Sequence, residues 1–148
     1  MKKMVLAAIV SLALVFSAGS ALAAGTATVD ISANVLGTCA FNTGGTIAFG
    51  DLDPTSGLSP SVTNAAAANF TCTNGTDYSI TDDGGLSGGY ELDDNAGNVI
   101  PYALTYTGTG TGTGTASDLS ITADIAFADY ATKPAGTYSD TVTLTINP

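Results

Sequence analysis

From residue 25 onward the chain is a string of short runs with a side-chain period of two, separated by Gly, Asn, Asp, Ser and Pro. That period marks a strand with one buried face, because successive side chains point to opposite sides. The strictest run is the first, GTATVDISANV at residues 25–35. It sets Ala27, Val29, Ile31, Ala33 and Val35 on one face and Thr28, Asp30, Ser32 and Asn34 on the other. The last run, residues 137–146, likewise sets Val142, Leu144 and Ile146 against Thr141, Thr143 and Thr145. Between them lie further β-prone runs at residues 46–50, 69–73, 78–81, 99–106 and 119–127. Turn signals stand at residues 51–57, where Pro54 fixes the backbone, at Asn74-Gly75 and at residues 82–85. Six or more strands spaced about ten residues apart predict an all-β antiparallel sandwich. Ala65 to Ala68 could form a helical turn, but four alanines make no independent helix in water. The tract at residues 107–115, alternating Thr and Gly, offers no side chain able to build a core and reads as a mobile surface loop.

The residues before the first strand have the form of an export signal. Met1, Lys2, Lys3 and Met4 give a basic start, residues 5–18 are nearly all apolar, and Ala21-Leu22-Ala23 has the small-x-small form of a cleavage site. The apolar run is shorter than the roughly 20 residues that span a bilayer, so a membrane span is not expected. Residues 1–23 are therefore read as a signal peptide, and a mature chain of about 125 residues has the size of one domain. Removal of the signal makes the alternating first strand the free amino terminus.

Loss of Lys2 and Lys3 leaves Lys133 alone against all 13 acidic residues. A formal charge near −12 excludes nucleic acid and anionic membrane as partners, since both need a basic surface. Cys39 and Cys72 are the only cysteines. An even pair in an exported chain reads as a disulfide, and closing a loop of about 34 residues stabilises a fold by roughly 3 to 4 kcal/mol.

The chemistry of an enzyme is thin. The chain has no histidine and no arginine, which removes the usual general base, catalytic triad, His/Cys metal cluster and phosphate clamp. Paired carboxylates could still serve a glycosidase. Asp82, Asp83, Asp93 and Asp94, however, all fall in turn-forming stretches, where Asp is a common turn residue. The run at residues 93–98 invites a calcium reading, but Gly97 and Asn98 occupy the fifth and sixth places and no distal glutamate follows. No cofactor is expected.

The order of these features carries more than any one of them. An export signal and an alternating strand are followed by a first cysteine. Then come an FG-D-x-D-P turn at Phe49, Gly50, Asp51, Asp53 and Pro54, the segment CTNGTDYSI at residues 72–80, and a terminal GTYSDTVTLTI at residues 136–146. Together they resemble the spore coat protein U domain family, which includes the major subunits of archaic, Csu-type chaperone-usher pili. The resemblance covers the whole mature chain. It departs from relatives in the middle, where residues 102–106 lead into the Thr-Gly tract. It implies an immunoglobulin-like sandwich that lacks its seventh strand and is completed by a donor strand from another subunit. Residues 24–36 would be that donor and residues 37–148 the pilin domain. It also implies a periplasmic chaperone, an outer-membrane usher and identical or related pilin subunits as partners, with export through the periplasm to a surface pilus that supports adhesion or biofilm formation.

The residues give this a physical footing. A sandwich whose last strand ends the chain leaves an edge, and residues 141–146 carry no lysine or proline to blunt it. A spare strand at one end, with Ala27, Val29, Ile31, Ala33 and Val35 as its inserted face, and an edge at the other, with Val142, Leu144 and Ile146, form a matched pair. Such contacts are heterologous and generate open filaments. Two other classes stand beside this one: a self-contained secreted or coat domain that uses its own first strand, and a carbohydrate-binding adhesin. The second expects exposed aromatics, and the chain has no tryptophan.

Overall fold

The computed structural model describes residues 25–85 and 89–148, so the signal-peptide reading falls outside the described residues. The chain divides into two units at residues 33 and 34. In the first, residues 25–33 are exposed and lie in no helix or strand. The second holds nine strands and one short helix among the described residues.

In chain order the elements of this unit are β1 (Cys39–Gly44), β2 (Ser61–Cys72), β3 (Asp77–Asp82), β4 (Glu91–Asp93) and β5 (Val99–Pro101). Then follow β6 (Ala103–Tyr106), β7 (Thr109–Thr111), β8 (Ala116–Asp124), α1 (Phe127–Tyr130) and β9 (Leu144–Asn147). Every pairing is antiparallel. One sheet has the order β1-β2-β8-β6, a second β7-β3-β9, and β4 and β5 form a small pair. The expected all-β antiparallel class therefore holds. The two larger sheets share one core: Ala67, Ala68, Phe70 and Cys72 from β2 and Leu119 and Ile121 from β8 pack with Ile80 of β3. Half-buried Leu144 and Ile146 of β9 close it. A second cluster, Ile100, Ile125 and Tyr130 with Phe49, Leu52 and Tyr138 against it, fills one end.

Cys39 and Cys72 stand opposite one another in the β1–β2 ladder and form the expected disulfide. The predicted turns also occur. Asp53 Oδ1 accepts hydrogen bonds from the Thr55 amide at 2.8 Å and the Thr55 hydroxyl at 2.7 Å. Gly75 has a φ of 78°, which suits glycine in the turn after β2. At residues 93–98 the carboxylates serve the turn itself: Asp94 Oδ1 accepts from the Ala96 and Asn98 amides, and Asp93 Oδ1 from the Asn95 amide.

Several expectations are corrected. Ala65 to Ala68 are part of β2, not a helical turn, because the flanking residues pair with β8 on both sides of a register shift between Asn64 and Ala68. The Thr-Gly tract is not a loop throughout: Thr109–Thr111 pair with Asp77, Tyr78 and Ser79. Its glycines are there for close approach. A Cβ at Gly112 would meet the Thr73 carbonyl oxygen at 2.4 Å and Cys72 Cβ at 2.6 Å, and one at Gly110 the Tyr78 hydroxyl at 2.5 Å. Residues 99–106 are two strands in different sheets, broken at Tyr102. Residues 119–127 stop pairing at Asp124, and Phe127 begins α1. Of residues 137–146, only the stretch from Leu144 onward runs in a continuous ladder.

Candidate functional site

Two segments keep the side-chain pattern of a strand while joining no ladder among the described residues. In residues 46–50, Ile47 and Phe49 are half-buried between exposed neighbours. In residues 141–143, half-buried Val142 lies between exposed Thr141 and Thr143. These segments form the two walls of an open groove with a volume of ≈ 630 Å³. Phe41 and residues 43–47 make one wall and residues 140–144 the other.

The floor is made of small and branched side chains. Ala67 and Ala68 of β2, Ile121 and Ala123 of β8 and Leu104 of β6 all line the groove. The alanine run thus has a structural use: it gives a strand its buried face without filling the space above it. A second cavity of ≈ 710 Å³ shares Ile47, Leu92 and Asp140 with the first and continues it between residues 47–52 and residues 133–140. A cleft of this size and lining in a monomer marks a site where another apolar surface can dock.

Each wall is held by polar contacts in place of a strand partner. On the first wall, Asn64 Nδ2 donates to the Thr46 carbonyl at 3.0 Å. Gly45 lies so close to β2 that a Cβ there would meet the Ala67 carbonyl oxygen at 2.6 Å. On the second, Ser139 and Asp93 exchange backbone hydrogen bonds at 2.9 and 3.1 Å. The Tyr102 hydroxyl donates to Asp140 Oδ2 at 2.7 Å. The Thr143 amide donates to Asp83 Oδ1 at 2.9 Å, while the Thr143 carbonyl accepts from the Asp83 amide at 3.2 Å.

The acids at this corner are tuned by those contacts. The Thr143 amide and hydroxyl and the Gly85 amide lower the pKa of Asp83. The Tyr106 hydroxyl lowers that of Asp82 in spite of its partial burial, helped by Tyr90 and the Gly84 amide. Burial and then the Asp140 carboxylate push the Tyr102 hydroxyl up, and burial and Asp82 do the same to Tyr106. These groups fasten the wall of the groove. Among the described residues no group of three or more His, Cys, Asp or Glu could hold a metal ion.

The positions singled out in the sequence fall as follows. Leu144 and Ile146 lie in β9, facing Asp82 and Ile80 of β3. Because β9 is the last strand of its sheet, only one of its edges is paired. Val142 precedes that ladder and lines the groove. Val29, Ile31 and Val35 are 81 %, 92 % and 81 % exposed. Ala27 and Ala33 are exposed as well, and none of the five lies in a strand. Phe41, Ile47, Leu104 and the alanine floor escape a sequence reading, as does the link from Asp83 to Thr143. The alternation of residues 46–50 was visible; that it lacks a partner was not.

The sequence model of the Spore Coat Protein U domain matches residues 25–145. Comparison with curated proteins found no match. Among solved structures, the crystal structure of the CsuC–CsuE chaperone–tip adhesion subunit pre-assembly complex, from archaic chaperone-usher Csu pili of Acinetobacter baumannii, is similar at 20 % identity and a TM-score of 0.49. The match covers 76 % of the present chain and 40 % of that one.

Proposed function

This chain belongs to the Spore Coat Protein U domain family, and from that premise we propose that it is the structural subunit of a surface pilus that polymerises by strand donation. One observation carries the reading: an open apolar groove whose two walls have the side-chain alternation of strands and no strand between them. Residues 24–36 are the donor. They place Ala27, Val29, Ile31, Ala33 and Val35 in the groove of a second copy and add their backbone beside the free edge of β9, with Val142, Leu144 and Ile146 on the accepting side. Strand addition of this kind draws affinity from backbone hydrogen bonds and specificity from pockets for alternate side chains. Five apolar side chains at about 1 to 2 kcal/mol each, all exposed before insertion, make a durable junction.

Before assembly the groove is an aggregation hazard, and a periplasmic chaperone covers it until an outer-membrane usher brings in the next subunit. The chain works by assembly at the cell surface and not as an enzyme. Electrophoresis of exported, unheated protein tests this. A ladder of multimers that collapses to monomer on strong heating is expected from the full chain, and monomer only from a chain lacking residues 25–35. A ladder from the truncated chain rules the donor assignment out.

A further inference from the structure

We infer that the Thr-Gly tract is a lateral contact surface, where the edge of β7 pairs with the same edge of a second copy. The contact is separate from the groove and uses the opposite end of its sheet, whose order is β7-β3-β9.

The backbone of the tract is divided cleanly. Gly108 accepts from the Ile80 amide at 2.5 Å, and Gly112 donates to the Thr76 carbonyl at 2.7 Å and accepts from the Gly75 amide at 2.9 Å. Gly110 stands opposite Tyr78 in the ladder. In an antiparallel ladder, residues alternate between those that turn both backbone groups to the partner and those that turn both away. The glycines face β3, so Thr109 and Thr111 present their N–H and C=O groups to the other side. Neither has a backbone partner there among the described residues.

This edge lacks the usual protection. Proteins blunt an edge with charge, Pro, Lys or a bulge, and residues 107–115 contain none of these. The nearest carboxylate in the ladder, Asp77, lies on β3 and accepts the Thr111 hydroxyl at 2.7 Å. The rest of the surface repels a copy of itself, since the 13 acids of the chain face only Lys133 once the export signal is gone. A neutral edge is where two such acidic chains can approach.

The tract is also self-complementary. With a two-fold axis at Gly110, Thr109 of one copy meets Thr111 of the other, and Thr107 meets Thr113. The two residues whose groups point outward are then the two that must bond. The absence of a side chain at Gly110 lets the strands close at the axis. Such an isologous contact closes on itself as a pair. In a fibre it recurs on every subunit, so a weak pairing becomes a strong one through multivalency; that amplification, though not the contact, rests on the fibre reading.

The test is chemical cross-linking of exported full-length protein, with a short bismaleimide and Thr109→Cys, read after boiling. The native cysteines are joined to each other and do not react. A covalent dimer that survives boiling is expected from Thr109→Cys and not from Ser120→Cys, an exposed control on β8. Adding Thr111→Pro to Thr109→Cys removes one outward N–H without taking a bond from β3, and the dimer band is lost. Equal dimer from the Ser120→Cys control, or a dimer untouched by Thr111→Pro, overturns the proposal. So does no dimer from Thr109→Cys. The heat-labile ladder of strand donation is read separately on the same gel, so either reading can fail without the other.

Discussion

Asp83 and Thr143 clasp each other twice, the Thr143 amide donating to the Asp83 carboxylate at 2.9 Å and the Asp83 amide donating to the Thr143 carbonyl at 3.2 Å. At this point β9 has already parted from β3, whose last paired residue is Asp82. A side chain thus continues what the ladder has stopped doing. It holds residues 141–143 along the groove while leaving their other side open.

The clasp should yield to acid. The pKa of Asp83 is lowered from its ordinary value of 3.8, chiefly by the Thr143 amide. A lowered folded-state value means that the contribution is present above the ordinary value and lost as the pH falls through the lowered one. Amide exchange at Thr143, followed by NMR, is expected to accelerate in acid relative to Ile146, which is held by β3. In Asp83→Ala it should already be fast at neutral pH. Equal protection of Thr143 in Asp83→Ala and wild type would remove Asp83 from this role.

A charge on the donor face should abolish assembly. Ile31→Asp places an unpaired carboxylate where an apolar side chain enters the groove, a change costing about 2 to 7 kcal/mol when a polar group is buried without a partner. The multimer ladder of unheated material should vanish while the melting temperature of the monomer stays put, because Ile31 is 92 % exposed. A ladder as long as wild type would mean that Ile31 enters no pocket.

Filling the floor should do the same from the other side. Ala67 lines the groove at 7 % exposure, so Ala67→Phe projects into space that the monomer leaves empty. Assembly is expected to fall sharply with a loss of no more than about 1 to 3 kcal/mol of monomer stability, the usual cost of overpacking. Denaturant titration and the ladder assay together separate the two effects.

Gly112→Ala should destabilise without touching the groove. The new Cβ would collide with the Thr73 carbonyl oxygen and with Cys72 Cβ, at 2.4 and 2.6 Å. Both belong to the strand end that carries the disulfide and cannot easily give way. A loss of about 1 to 3 kcal/mol is expected from denaturant unfolding. Thr113→Ala, at an exposed neighbour, should lie within about 0.5 kcal/mol of wild type.

Removing the disulfide should cost more. Cys39 and Cys72 close a separation of 33 residues and tie the edge strand β1 to β2. The double variant Cys39→Ala and Cys72→Ala should lose about 2 to 5 kcal/mol, measured by denaturant titration. Since β1 leads into the first wall, the same variant should bind a peptide of residues 24–36 more weakly than the parent lacking its own donor.

Much of this protein can be read directly from its residues, because strand alternation is local. The period of two at residues 25–35, 46–50 and 141–146 depends only on which way neighbouring side chains point, and the structure keeps it in the latter two even where no ladder forms. The turns at Asp53 and Gly75 and the pairing of Cys39 with Cys72 are legible for the same reason: turn chemistry is local, and two cysteines allow one pairing.

Partnership is not local. The partners of Ala68 and Leu144 in their ladders are Leu119 and Asp82, far away along the chain, and nothing in a run of four alanines or a Thr-Gly repeat announces which distant strand will claim it. Tertiary structure alone decided that Ala65 to Ala68 extend β2, that the glycines of residues 107–115 lie flat on Tyr78 and Cys72, and that residues 46–50 and 141–143 face each other with nothing between. The sequence by itself determined a set of strands with one apolar face each. Packing decided which of those strands lack a neighbour, since a backbone hydrogen bond is satisfied or left open only when the whole sheet is in place.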